Sequence, residues 1–278
     1  METLNNKERK LQAVLAKYDR LVVGFSGGID STLVLNEAVK ILGKENVLAV
    51  VADSELFSEE EYAKAIDLAA NLEVNVKGIQ LDYLAEKHIK NNTPESWYYM
   101  KQIFYRQLNR VAAKFNADAV LDGMIMDDQT DFRPGLRARD EAGAVSVLQV
   151  AGLYKTDVRE LAQKQGLNNW NKVASCSVSS RFPYYTELTS EKLQQVMAAE
   201  AYLRQAGFGT VRVRVHDKLA RIEVPVARIN DLISQKDQIT TKLESLGYEF
   251  VTVDLQGFVS GRMNQDLSTA EKQKVLVG

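Results

Sequence analysis

The chain has 278 residues, 45% hydrophobic and 26% charged, with 35 basic against 37 acidic side chains and a formal net charge of −2. That length gives one large or two ordinary domains with a sizeable core, and the near-neutral balance argues against coating nucleic acid or membrane by bulk charge. One cysteine and two histidines exclude an internal disulfide framework and, within one chain, a multi-cysteine zinc or iron–sulfur site.

The first 17 residues are charged and helix-prone, unlike a signal peptide, and no apolar run approaches the roughly 18 residues of a membrane span. The expectation is a soluble, cytoplasmic protein. Residues 4–18 predict an amphipathic helix with Leu4, Leu11, Val14, Leu15 and Tyr18 inward. Residues 21–25 read as a buried strand that runs straight into Ser26-Gly27-Gly28-Ile29-Asp30-Ser31, and residues 32–42 continue as a helix closed by Gly43. A strand, a glycine turn and a helix N-terminus make an anion site, because backbone N–H groups and about half a positive charge of helix dipole face the turn. Gly27 and Gly28 let the backbone approach a phosphate, Ser26 and Ser31 add hydroxyl donors, and Asp30 can hold a metal ion or fix the loop. The pattern lacks the Gly-Lys-Ser/Thr of the Walker loop and the G-x-G-x-x-G of dinucleotide folds. S-G-G-x-D-S directly after a strand resembles the PP-loop of the ATP pyrophosphatases, which implies cleavage of ATP to AMP and pyrophosphate while a substrate is adenylated.

A second buried strand at 46–52 places Asp53 and Ser54 at its carboxyl end, where open α/β sheets bind ligands. A capping box at Ser58–Glu61 starts a helix to residue 71, and a third strand lies at 74–81. This alternation predicts a parallel sheet with helices on both faces. Residues 82–97 are less regular. A long helix runs from Trp97 to 115; its aromatics read as core, with Trp97 at the start kept as a site candidate. A fourth strand at 117–121 opens into a loop holding Asp122, Gly123, Asp127, Asp128, Asp131 and Arg133. Its carboxylates can bind Mg²⁺ on ATP and Arg133 can neutralise phosphate charge, so Gly123, Asp128 and Arg133 join the ATP-site candidates. A helix at 155–165 completes a first domain, placed at residues 1–170.

Residues 168–184 have no helical period and are crowded with Ser and Asn, so they predict a loop. Cys176 lies within it between two serines, without apolar neighbours and near Lys172 and Arg181; cationic neighbours favour a thiolate, so a reactive cysteine is expected rather than a buried one. A helix at 189–205, alternating strands at 210–216 and 219–224 joined by a turn at Asp217-Lys218, a helix at 227–246 and a strand at 250–255 predict an αββαβ module. It forms a second domain, placed at residues 171–278. Arg212 and Arg214 share one face and can grip a phosphate or a carboxylate; on the residues alone, a solvated strand or an association face is an equal reading. The glycine-punctuated stretch 257–264 carries no assignable role, and a capping box at Ser268–Glu271 starts a short tail helix.

S-G-G-I-D-S, then D-G, D-D and D-F-R-P-G, then a Ser-Cys loop ending S-R-F-P-Y, are together similar to the LarE family over nearly the whole chain. Those proteins supply sulfur for the nickel-pincer cofactor of lactate racemase. The resemblance implies ATP and Mg²⁺ as cofactors, and adenylation of a carboxylate of a pyridinium dicarboxylate mononucleotide. It further implies attack by Cys176 to a thioester, and cleavage of the cysteine Cβ–S bond to leave dehydroalanine. Asp30, Arg133 and Cys176 are then the catalytic candidates. Trp97, Ser180, Arg181, Arg212 and Arg214 lie at the substrate, and Glu200, Glu223 and Asp231 at a metal. Many relatives have Pro before the cysteine and Gly after Pro-Tyr, where this chain has Ser175 and Tyr185; others have three cysteines, and this chain's one favours the sacrificial branch. A small-molecule mononucleotide, further copies of the chain and other nickel-pincer pathway proteins are the expected partners, and nucleic acid and membrane are not. A PP-loop amide ligase, a tRNA thiolase and a non-catalytic ATP or AMP sensor are the alternatives; the first would not need Cys176, the second would relay sulfur through another cysteine, and the third would not need the charges of the acidic loop.

Overall fold

Apolar runs of four to eight residues set the frame. The computed structural model describes residues 2–130, 132–170, 176–259 and 261–277. In chain order these form α1 (Leu4–Leu15), β1 (Leu21–Gly24), α2 (Ile29–Leu42), β2 (Val47–Ser54), α3 (Glu59–Asn71), β3 (Asn75–Leu81), α4 (Lys87–Lys90), α5 (Ser96–Phe115), β4 (Ala119–Leu121), α6 (Gly135–Ala142), α7 (Val147–Val150) and α8 (Lys155–Lys164). Then come α9 (Ser190–Gln205), β5 (Arg212–His216), β6 (Leu219–Glu223), α10 (Ile229–Ser234), α11 (Lys236–Ser245), β7 (Phe250–Val253) and α12 (Thr269–Val277). The chain divides into two compact units: residues 1–83 and 97–175 with the last three residues, and residues 84–96 with 176–275.

The first unit is a four-stranded parallel sheet in the order β3-β2-β1-β4. Successive side chains of β1 alternate between two cores. Leu21 and Val23 pack with Leu11, Leu33, Leu35 and Val158 on one face, and Val22 packs with Tyr105, Leu108 and Val111 of α5 on the other. Burial on both faces is what a parallel strand requires, and the unbroken apolar runs of β1 and β2 provide it. β3 lies at an edge, and most of its residues are exposed or half-buried. α6 and α7 fill a stretch with no assigned element in the sequence reading, being only eight and four residues long.

The second unit holds a three-stranded sheet in the order β5-β6-β7, with β5 and β6 antiparallel and β6 and β7 parallel. With α9 and the α10–α11 pair it forms the αββαβ module expected. The single helix read at 227–246 is broken at Gln235. Among the described residues no helix is long and apolar enough to cross a membrane.

Candidate active site

Helix α2 starts three residues earlier than its sequence suggested, so Asp30 and Ser31 stand in its first turn. Gly28, in extended conformation, is its N-cap and makes no side-chain capping bond, which leaves the first-turn N–H groups for an anion. The turn is cross-tied internally. Thr32 Oγ1 and Ser31 Oγ donate to the Gly28 carbonyl at 2.8 and 3.1 Å, and Gly28 N–H donates to Ser26 Oγ at 3.3 Å. Gly27 has φ +67°, a left-handed conformation that glycine adopts without strain. Asn169 adds an outer strap, its Nδ2 donating to the Gly27 carbonyl at 3.1 Å and to Thr32 Oγ1 at 2.9 Å.

Two further elements of the first unit close on this turn. A Cβ at Gly123 would stand 2.7 Å from Ser31 N, so only glycine fits where β4 ends against the start of α2. Behind it the buried Asp122 accepts from Tyr105 Oη at 2.5 Å and Ser146 Oγ at 2.6 Å, which anchors the loop. Asp128 accepts from Ile125 N–H at 2.9 Å and pairs with Arg133 at 3.1 Å. Asp127 accepts from Lys155 N–H at 2.9 Å, and Lys155 Nζ lies 2.7 Å from both oxygens of Asp30. Burial raises the Asp30 carboxyl above its ordinary range, with Asp128 adding to the rise and Lys155 and Arg159 opposing it. At the carboxyl end of β2, Asp53 is half-buried, and the buried Ser54 Oγ finds no hydrogen-bond partner among the described residues. An orphaned hydroxyl, a glycine cradle and capless N–H groups suit a nucleotide polyphosphate, and the Asp30 and Asp128 carboxylates suit a hard cation such as Mg²⁺.

The second unit carries the thiol. Cys176 is free and exposed. The turn that follows it, Ser177 to Arg181, is mostly buried and is held by guanidinium groups. Arg181 Nη1 donates to the Cys176 carbonyl at 3.4 Å and the Ser177 carbonyl at 3.2 Å, and Arg214 Nη1 donates to the Ser180 carbonyl at 2.6 Å. Arg181 also forms a buried bidentate pair with Glu200, at 2.7 and 3.1 Å. Burial pushes the Glu200 carboxyl up, but Arg181, Arg212 and the Val213 N–H together outweigh it and hold it below the ordinary value. Burial and the neighbouring Arg181 and Arg214 cations lower the Arg212 pKa, against the opposing fields of Glu200 and Cys176. Arg212 therefore belongs to the same electrostatic cluster as the thiol. The arginine face is not a solvated strand: Arg214 is buried and Glu223 fully so.

The sequence candidates thus form two groups. Ser26, Gly27, Gly28, Asp30, Ser31, Gly123, Asp128 and Arg133 gather around the turn of the first unit. Cys176, Ser180, Arg181, Arg212 and Arg214 gather in the second. Trp97 belongs to the first unit, half-buried in the first turn of α5. Glu200, Glu223 and Asp231 are not brought together as metal ligands. The first two are buried partners of arginines, and Asp231 is exposed and paired with Arg228 at 2.6 Å. Among the described residues no three His, Cys, Asp or Glu side chains group as a metal site. Asp131, Lys172 and Ser175 lie outside the described residues.

Four residues escaped the sequence reading: Lys155, Arg159, Asn169 and Lys101. Lys155 and Arg159 sit at i and i+4 on α8, a spacing that could have flagged one cationic face. Lys101 has its pKa lowered by burial and by Arg133, against Asp122 and Asp128, and no local pattern marks it.

The NAD synthase family model matches residues 4–175. The pyridinium-3,5-bisthiocarboxylic acid mononucleotide synthase of Lactiplantibacillus plantarum is 59% identical over 98% of each chain. An uncharacterized protein of Synechocystis is 35% identical over 95% of this chain and 99% of its own. An NH(3)-dependent NAD(+) synthetase of Helicobacter hepaticus is 30% identical, but over only 52% of this chain and 58% of its own. The NAD synthase match stops at the residue before Cys176, whereas the first two relatives run through the thiol and the arginine cluster. On that full-length likeness, the chain belongs to the LarE family of sulfurtransferases, built on the PP-loop fold of the NAD synthases.

Proposed function

We propose that this chain uses ATP to adenylate a carboxylate of pyridinium-3,5-biscarboxylic acid mononucleotide and then gives that carbon the sulfur of Cys176. The carrying observation is the exposed Cys176 on a backbone pinned by Arg181, in a chain alike end to end with a bisthiocarboxylic acid mononucleotide synthase. In the first step a substrate carboxylate oxygen attacks the α-phosphorus of ATP, forming the acyl-adenylate and releasing pyrophosphate. Gly27, Gly28 and the first-turn N–H groups of α2 receive the pyrophosphate oxygens, Ser26 and Ser31 orient the turn, and Lys155 and Arg133 offset charge. Asp53 and Ser54 face the nucleoside, with the orphaned Ser54 hydroxyl as a polar contact. Asp30 and Asp128 would hold Mg²⁺, which supplies further charge neutralisation on the triphosphate.

In the second step the Cys176 thiolate attacks the acyl carbon, AMP leaves, and a thioester joins protein and substrate. Arg212, in the same charge cluster as the thiol, attracts the anionic substrate. In the third step a base removes the Cys176 Cα proton and the Cβ–S bond breaks. The sulfur leaves as the product's thiocarboxylate, and dehydroalanine stays in the chain. Glu200 and Glu223 serve as counter-ions that position the arginines. Exposed Val226, Phe250 and Leu255 of the second unit support association with further copies.

The test is stoichiometry. With ATP, Mg²⁺ and the dicarboxylate mononucleotide, AMP, pyrophosphate and thiocarboxylate should form in equal amounts and stop at one per chain. Continued turnover without added sulfur donor refutes the proposal. An amide ligase, the reading that the NAD synthase match favours for the first unit, would instead consume ammonia and proceed with Cys176 alkylated.

A further inference from the structure

Glu223, on β6, is fully buried and shared among three guanidinium groups. Its Oε2 accepts from Arg214 Nε at 3.1 Å, and its Oε1 lies 3.5 Å from Arg221 Nη2 and 3.3 Å from Arg262 Nη1. One further carboxylate joins them: Asp254 pairs with Arg262 Nη1 and lies 3.4 Å from Arg221 Nε. Arg214, Arg221 and Arg262 therefore carry three positive charges against the two negative charges of Glu223 and Asp254. Arg181 nearby takes nothing from this surplus: its partner is Glu200, which Arg204 also reaches at 3.5 Å. The three side chains keep only 10%, 33% and 14% of their exposure, so the surplus charge is partly withdrawn from water. They line a single cavity of about 420 Å³ in the second unit, together with Ser180 and Gln256. A surplus cation on the wall of a concave site is costly unless an anion joins it.

We propose that this cavity binds the phosphate monoester of a mononucleotide, with Arg221 and Arg262 as its grip. The inference rests on the mononucleotide reading above and adds to it the residues that recognise the non-reacting end of the substrate. A phosphate monoester carries between one and two charges at neutral pH and three acceptor oxygens, which the planar forks of two arginines match. The volume falls within the several hundred Å³ usual for small ligands. The carboxylates of the substrate are the groups that must meet ATP and the thiol, so the phosphate is the anion left to anchor. Arg214 ties the two ends. It shares Glu223 with Arg221 and Arg262, and it donates to the Ser180 carbonyl in the turn that follows Cys176.

The test is calorimetric binding to the full chain with the PP-loop occupied by a non-hydrolysable ATP analogue. The probes are nicotinic acid mononucleotide, nicotinic acid riboside and inorganic phosphate. The wild type should bind the mononucleotide at least about tenfold more tightly than the riboside, and phosphate should compete. Arg262→Gln should lose about ten- to a hundredfold in mononucleotide affinity while riboside and ATP affinities stay unchanged. Equal wild-type affinities for mononucleotide and riboside would overturn the proposal, as would a folded Arg262→Gln that binds the mononucleotide like wild type. Should Arg262→Gln not fold, Arg221→Gln, at the more exposed partner, takes its place, and the wild-type comparison decides independently. Sulfur transfer from Cys176 is read separately. Its absence alongside a phosphate-dependent affinity would sink the reaction and keep the grip; its full retention in Arg262→Gln at limiting substrate would do the reverse.

Discussion

The two units each gather groups that suit anions, from different materials. In the first, backbone N–H groups of a glycine turn and a helix start face outward, and the carboxylates Asp30, Asp127 and Asp128 hold the surrounding loops. In the second, guanidinium groups supply the positive charge, and buried Glu200 and Glu223 hold them in place. A backbone site tolerates no added side-chain volume and little loop movement. A side-chain site tolerates volume but depends on every counter-ion, because a buried charge left unpaired is expensive.

The sharpest break between the units is Cys176→Ser. Sulfur transfer should vanish while ATP binding, measured by calorimetry, matches wild type. Next is Arg181→Ala, which leaves Glu200 buried without its bidentate partner and should cost about 3–5 kcal/mol of stability in the second unit, read from denaturant unfolding. The same pair sets an acid limit. Glu200 has a folded pKa below its unfolded value, so its contribution is fully present above about pH 4.5 and is lost as pH falls through the folded pKa. Glu200→Gln should flatten that limb of the stability profile. Gly123→Ala drives a methyl group against the backbone of Ser31 and should weaken ATP binding about ten- to a hundredfold, at a strain of about 1–3 kcal/mol, with the second unit's unfolding unchanged. Smallest is Asn169→Ala, which removes the outer strap on Gly27 and Thr32. It should raise the ATP concentration that gives half the maximal single-turnover rate several-fold, for about 1 kcal/mol, and leave the rate at saturating ATP near wild type.

The same contrast explains what the sequence made legible. Ser26 to Ser31 could be read directly because strand, glycine turn and helix start are neighbours in the chain, and the αββαβ order followed from local alternation. Cys176 stood out because serines flank it in a stretch with no helical period. The charge network of the second unit could not be read. Arg181, Glu200, Arg214, Glu223 and Arg262 come from five different segments, and alternation alone assigns Arg214 and Glu223 to a polar face without revealing that this face is buried. Lys155 reaches Asp30 across 125 positions of sequence, which no local pattern encodes. The break in the helix at Gln235 lies at no glycine or proline, so it too gave no local sign.

Peptide mass spectrometry before and after reaction with ATP, Mg²⁺ and the dicarboxylate mononucleotide distinguishes sulfur given up by Cys176 itself from sulfur supplied elsewhere. The peptide containing residue 176 should lose the mass of one H₂S, in proportion to the thiocarboxylate formed. Product accumulating with that peptide unchanged would contradict sulfur donation by Cys176.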